Sequence, residues 1–253
     1  MNTPRRHHFV PRFYLAGFCP DDREVLAVYD RIRNAFRAQR PAEVAHRRDF
    51  YAYEDEDGKK CFDVEVGLGE IEAAARAVIL KVDAEEQLSI DDRDTLATYA
   101  GFQYARTPVF KAMYDTLFRH HAEAVANGLQ DNPGAMRQEL QEAGLPLDEA
   151  AGEEQLGALS EAFNMEADRT RSLGAMLRIA PRFSTLFAQM KWTIWRRQSE
   201  KTSFVTTDSP FCTIATRPPN EGVYGGLGIL SPGSVNVLMR WCTGGSARPT
   251  CAG

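Results

Sequence analysis

The sequence has no CxxC pair. Its five cysteines (Cys19, Cys61, Cys212, Cys242, Cys251) are odd in number and widely spaced, which excludes a disulfide framework or a zinc ribbon and leaves reduced thiols. No apolar run approaches the roughly 18 residues of a membrane span. The opening residues lack the apolar h-region of a secretory leader, so the expectation is a cytoplasmic protein with no membrane partner. Positive charge is not in excess either: the net charge is −5 and the pI about 5.6, so the chain as a whole does not advertise polyanion binding. Lysine is missing from the first fifty residues, which instead carry ten arginines against six acids. A local basic face is compatible with that segment.

With 43% hydrophobic and 26% charged residues over 253 positions, the chain can bury a core as one domain or one domain with an appended lobe. Up to about residue 60, EVLAVYD and DFYAY alternate apolar and polar residues between the turn-like CPDD, NAFR and EDEDGKK; they predict short strands. From Asp63 to about Gln189 the apolar spacing is helical, with breaks at NG, DNPG, AGLPLD and FN. That predicts five or six helices. After Lys191 come strand-like KWTIW, SFVTT and VNVLM among Pro and Gly turns. The fold class is therefore α+β, a mainly helical centre with a small mixed or antiparallel sheet formed by N- and C-terminal segments. Residues 1–241 read as one domain, with 131–168 an acidic helical insertion or lid. The final CTGGSARPTCAG, residues 242–253, has no periodicity and reads as a disordered or non-native tail.

On the helix FDVEVGLGEIEAAARAVILKV, Val64, Leu68, Ile71, Ala75, Val78, Ile79 and Val82 fall on one stripe. Glu65 and Glu72 stack at its edge, while Asp63 and Glu70 point away. Stacked carboxylates beside a core face can ligate a divalent cation such as Mg²⁺ or Mn²⁺, or pair with a cation from another element. The simpler alternative is an ion pair with Arg76, four residues after Glu72.

The next helix opens on SIDD, where Ser89 and Asp92 form a capping box. Gln103 and Arg106 fall inside or beside its buried stripe of Leu96, Tyr99 and Ala100. Buried amide and guanidinium groups require partners or a ligand, and Thr107-Pro108 breaks the helix there. His120 and His121 are adjacent, point about 100° apart and read as a solvated face. Late in the chain FVTTDSPF sets Phe204, Thr206 and Asp208 on one strand face. Asp208 is either a turn former or a catalytic or metal-binding carboxylate at a strand end.

HHFVPRFYLAGF, VLAVYDR, DFYAY, EVGLGEIE, FQYARTP and FVTTDSP, in this order over residues 7 to 211, resemble the bacterial family called domain of unknown function 4238, whose members open with an HYVPRFYL-type signature. The resemblance picks out His8, Pro11, Tyr14, Leu15 and Phe18, Glu65 and Glu72, Gln103, Arg106 and Pro108, and Asp208 and Pro210. It implies no particular activity. Members continue into further sheet and helix where this chain has CTGGSARPTCAG.

Pro11 fits the first turn of a short helix pinned by Phe13, Leu15 and Phe18, leaving His8 and Arg12 at its N-terminal end as a place for a phosphate or carboxylate. A backbone-bonded His8 in a tethered basic N-terminus is the plainer account. Three functions follow. One is a metal-dependent hydrolase of phosphoesters, nucleotide or nucleic acid, with Glu65, Glu72 and Asp208 on the cation. In it His8 is acid, base or ligand, Arg12, Gln103 and Arg106 bind the substrate, and catalysis rests on His8, Arg106 and Asp208. A His-Asn-His nuclease variant would add Asn34 and His46 to HHFVP. The second is a non-catalytic module that binds a ligand or partner through the same buried network. The third is purely structural.

Overall fold

Two antiparallel helices carry the core around which the N-terminal segment is laid. In the computed structural model, which describes residues 5–20, 24–142, 169–192, 194, 204–215 and 235–239, they are α2 (Asp63–Asp83) and α3 (Ile90–Ala105). The expected stripe is the buried one: Ala75, Val78 and Ile79 of α2 meet Leu96 and Tyr99 of α3, with Phe13, Ile71, Val82, Leu88 and Trp192 packed around them. Fully burying each of the larger of these side chains contributes about 1.5–3 kcal/mol. The hairpin is closed at one end by the predicted capping box. Ser89 Oγ accepts the Asp92 N–H at 3.1 Å, Asp92 accepts the Ser89 N–H at 3.0 Å, and Lys81 adds a 2.7 Å bond to Asp92. Lys81 holds the Asp92 carboxyl down at about 2.

The chain divides into two compact units, Met1–Pro108 with Met176–Gly253, and Val109–Ala175. In the first unit, β1 (Arg6–His8) leads into α1 (Arg12–Ala16), followed by β2 (Leu26–Asp30), β3 (Ala35–Gln39), β4 (His46–Arg48), β5 (Tyr53–Glu54) and β6 (Lys60–Cys61) before α2. The second unit holds most of α4 (Pro108–Asp131), α5 (Pro133–Glu142) and the start of α6 (Arg169–Gln189); β7 (Phe211–Ala215) and β8 (Val235–Met239) belong to the first. The fold is α+β. Among the described residues, however, the strands form four separate antiparallel ribbons, β1 with β4, β2 with β3, β5 with β6 and β7 with β8, and no ladder joins the two ends of the chain. Backbone geometry accounts for the short N-terminal pieces: Ala45 and Asp49, on either side of β4, both sit at φ 52° in the left-handed region, where a strand cannot continue.

Two helix breaks are as predicted, at Thr107-Pro108 and at DNPG, where α4 ends at Asp131 and α5 starts on Pro133. Asn127-Gly128 is not a break. It lies inside α4, because a single glycine costs a helix only about 1 kcal/mol, less than the rest of a 24-residue segment recovers. DFYAY is mainly a turn that buries Tyr51, with only Tyr53 entering β5. AGLPLD, FN, Thr193 and Trp195 of KWTIW, the turns between 216 and 234 and the tail 242–253 lie outside the described residues; Lys191, Trp192 and Ile194 are described and are not strand. Residues 204–210 are described and irregular rather than strand.

Against α3 lies the second half of α6. A Cβ on Gly101 would stand 2.6 Å from the Ala180 carbonyl oxygen and the Ser184 nitrogen, so the two backbones touch because glycine has no side chain. Arg93 fixes the same contact from the other end. Its Nε donates to the Ala188 carbonyl at 3.1 Å, another guanidinium N–H reaches the Met190 carbonyl, and the group lies 4.7 Å above the Trp192 ring. An arginine of one helix thus caps the carboxyl end of its neighbour.

Candidate site: a buried Arg–Gln–Glu network

Pro108 ends α3, and Arg106 is its C-cap at φ −90°, ψ 1°. The cap frees the Arg106 carbonyl from helical bonding; the Tyr51 hydroxyl donates to it at 3.1 Å. The guanidinium turns inward and is only 3% exposed. Nε and Nη2 donate to Gln103 Oε1 at 2.8 and 2.5 Å, and Nη1 donates to Glu72 Oε1 at 2.7 Å. Gln103, fully buried, passes its own amide N–H to the Phe9 carbonyl at 2.8 Å. The cost of burying these polar groups is met by mutual hydrogen bonds, as buried amides and guanidiniums require. Glu72 is therefore the partner of Arg106, across helices, instead of Arg76 along its own helix.

The N-terminal strand closes the site. His7 is completely buried, its Nδ1 accepts the Tyr51 N–H at 2.9 Å, and the same nitrogen lies 4.0 Å from Glu65 Oε2. Its ring stacks on Tyr51 and meets the edge of Phe62. Glu65 is pushed up to about 7, first by burial and then by the Glu72 charge, against the pull of Arg106. Burial alone dominates at Tyr51 and Tyr99, whose hydroxyls are raised far above the ordinary phenol range. For Arg106, burial works against the charge, but Tyr51, Glu72 and Tyr99 hold it.

His8, on the opposite face of β1, stands across from His46 with ring centroids 5.3 Å apart. Burial lowers it to about 4, helped by His46, Arg12 and Arg106, so its imidazole is neutral at neutral pH. Its Nε2 is buried with no hydrogen-bond partner among the described residues. Arg12 is exposed on a five-residue helix. Asn34 belongs to the β2–β3 turn, at φ 50°, and accepts the Tyr29 hydroxyl at 2.7 Å.

Of the residues singled out by sequence, Glu65, Glu72, Gln103 and Arg106 meet in one cluster, with His8 in the field of Arg106. Asp208 is exposed in a turn whose bonds come from Thr207, which accepts the Ser209 N–H at 3.2 Å and donates to its carbonyl at 2.7 Å. The neighbouring Thr206 hydroxyl is 3.0 Å from the Tyr14 hydroxyl. Among the described residues no three His, Cys, Asp or Glu side chains form a cluster suited to a metal ion, so Asp208 does not join Glu65 and Glu72, and any cation there would be held by two carboxylates and water. His120 and His121 are exposed, as expected. Sequence reading missed His7 and Tyr51, and placed Tyr99 on the buried stripe without assigning it to the site. Strand parity with Phe9 was a signal for His7, but Val10 argues equally for the other phase.

The motifs that build this cluster lie within the span of one family. The family described as Protein of unknown function (DUF4238) matches residues 6–238. The chain belongs to the DUF4238 family. No curated protein and no solved structure matches it. In this DUF4238 chain, no helix among the described residues is long and apolar enough to cross a membrane.

Proposed function

We propose that this DUF4238 chain is a ligand-binding module whose site opens on Glu65 and Glu72 and takes a cationic group, a divalent metal ion or a protonated amine. The observation that carries this reading is that Glu65 and Glu72 both stand partly open to solvent beside the buried Arg106, where burial and the Glu72 charge push Glu65 up to about 7. Two carboxylates that each keep about a quarter of their side-chain surface exposed, 27% and 26%, meet solvent before the guanidinium does. An incoming phosphate would face them first and would have to dissolve the Arg106–Glu72 pair to reach a donor. A cation instead relieves their repulsion and displaces the proton. Calorimetric titration of Mg²⁺, Mn²⁺ and putrescine tests this. Binding should tighten above about pH 7, release a proton, and vanish in Glu65→Gln. Absence of binding by the wild-type protein for all three probes rejects the reading.

A second reading, a phosphoester hydrolase using Mg²⁺ or Mn²⁺, is favoured by the same Glu65, because a carboxyl titrating near neutrality suits general acid–base work. His8, Arg12 and Asp208 would then act on a nucleotide or nucleic-acid substrate. Turnover of such substrates with either metal, lost in Glu65→Gln, would favour it; binding without turnover favours the module.

A further inference from the structure

The β2–β3 ribbon is the one place in the described structure where aromatic rings are displayed rather than buried. Its outer face carries Ala27 and Tyr29 opposite Ala38 and Phe36 in direct register. The Tyr29 and Phe36 ring centroids are 4.9 Å apart, and the residues are 48% and 76% exposed. At the tip Ile32 is 98% exposed between Arg31 and Arg33. A contiguous apolar strip on the surface signals a contact partner.

Charge says which partner. Within residues 26–40 there are four arginines, Arg31, Arg33, Arg37 and Arg40, and a single acid, Asp30. That acid is fully used inside the ribbon: it takes the Ile32 and Arg33 N–H groups at 3.0 and 3.1 Å and the Arg37 guanidinium at 2.5 Å. The ribbon is thus strongly positive on a chain whose net charge is −5. Arginine without lysine, next to open ring faces, suits phosphates that come with stackable bases, since the guanidinium forks phosphate and stacks on π faces. A ribbon of two strands, with no third strand laddered to it among the described residues and rings on one face, is too narrow to cover a duplex. It matches a single strand that lies along it.

From this we propose that the β2–β3 ribbon is a docking platform for single-stranded nucleic acid, with Tyr29 and Phe36 stacking bases and Arg31 and Arg33 meeting phosphates. The proposal does not rest on the Glu65 site and can stand or fall without it.

Fluorescence anisotropy with a labelled oligothymidylate and the matching oligouridylate, in a salt series on the full chain, tests it. The wild-type protein should bind both. Tyr29→Ser with Phe36→Ser should weaken binding about tenfold or more, and Arg31→Ser with Arg33→Ser should reduce the salt slope by about 1 to 2. The ring-keeping exchange Tyr29→Phe with Phe36→Tyr should leave affinity unchanged. Should circular dichroism show that the serine pair disturbs folding, the arginine pair, which leaves the rings in place, decides alone. No binding by wild type, or binding that neither pair alters, overturns the proposal. It is equally overturned if sedimentation shows a self-association that the Tyr29/Phe36 variant abolishes while oligonucleotides have no effect, since the face would then hold a second copy of the chain.

Discussion

Two hairpins in this chain treat side chains in opposite ways. The helical hairpin α2–α3 buries charge, and gives Arg106, Gln103 and Glu72 one another as partners. The ribbon β2–β3 exposes rings: Tyr29 and Phe36 lean on each other across its outer face, and the Tyr29 hydroxyl bonds to Asn34 of the same ribbon. Stability depends on the first, because a buried ion with a missing partner has nowhere else to turn. The second has little to lose on folding and keeps its surface for something outside the chain.

Several substitutions would break or sharpen this contrast. The largest effect is expected from Arg106→Met, which strands the Gln103 carbonyl and the Glu72 carboxylate; a loss of about 3–4 kcal/mol in urea denaturation is expected, and a loss below 1 kcal/mol would mean that the network is incidental. Gly101→Ala comes next. Its methyl would press on the α6 backbone, and overpacking of that kind costs about 2–3 kcal/mol, measurable as a lowered denaturation midpoint.

Protonation gives a smaller and directional effect. Glu65 has its folded pKa at about 7 against an ordinary 4.5, so the folded state holds the proton more tightly. Its stabilising contribution is complete below about pH 4.5 and is lost as pH rises through 7, a change of about 1–2 kcal/mol once solvent screening of its open oxygen is allowed for. His8 acts in the reverse sense: with a folded value of about 4 against 6.5, its contribution is complete above 6.5 and is lost as pH falls towards 4. The two slopes oppose each other over most of that range. In Glu65→Gln the loss on raising the pH through 7 should disappear, leaving stability to rise with pH up to about 6.5 and then level off; an unchanged profile would remove Glu65 from this role. The smallest effect is expected in the ribbon, where Tyr29→Ser with Phe36→Ser should shift stability by less than about 1 kcal/mol.

Much of the helical hairpin was legible in the sequence, because its signals are local. The apolar stripe of α2, the Ser89–Asp92 box and the stop at Thr107-Pro108 each follow from residues a few positions apart. Gln103 and Arg106 were recognisable as polar groups in buried phase. Their partners were not, since Glu72 meets Arg106 through tertiary packing while Arg76 was the neighbour that spacing favoured. Which strands pair was not legible, for a related reason. Alternation marks strands but not which strands pair, and the left-handed Ala45 that precedes β4 carries no residue-type signal. His7 was hidden by the two apolar residues, Phe9 and Val10, that follow β1 in both phases.

Gln103 gives the network a sense of direction. Its carbonyl end is committed to the arginine and its amide end to the backbone of the segment after β1, so the side chain cannot be flipped without breaking both. From Arg106 to Phe9 the donors are consequently oriented the same way, and the direction reverses only at Arg106 itself, which donates both to Gln103 and to Glu72. In Gln103→Glu a carboxylate oxygen would face the Phe9 carbonyl in place of the amide N–H, and the N-terminal segment would lose that hydrogen bond to α3.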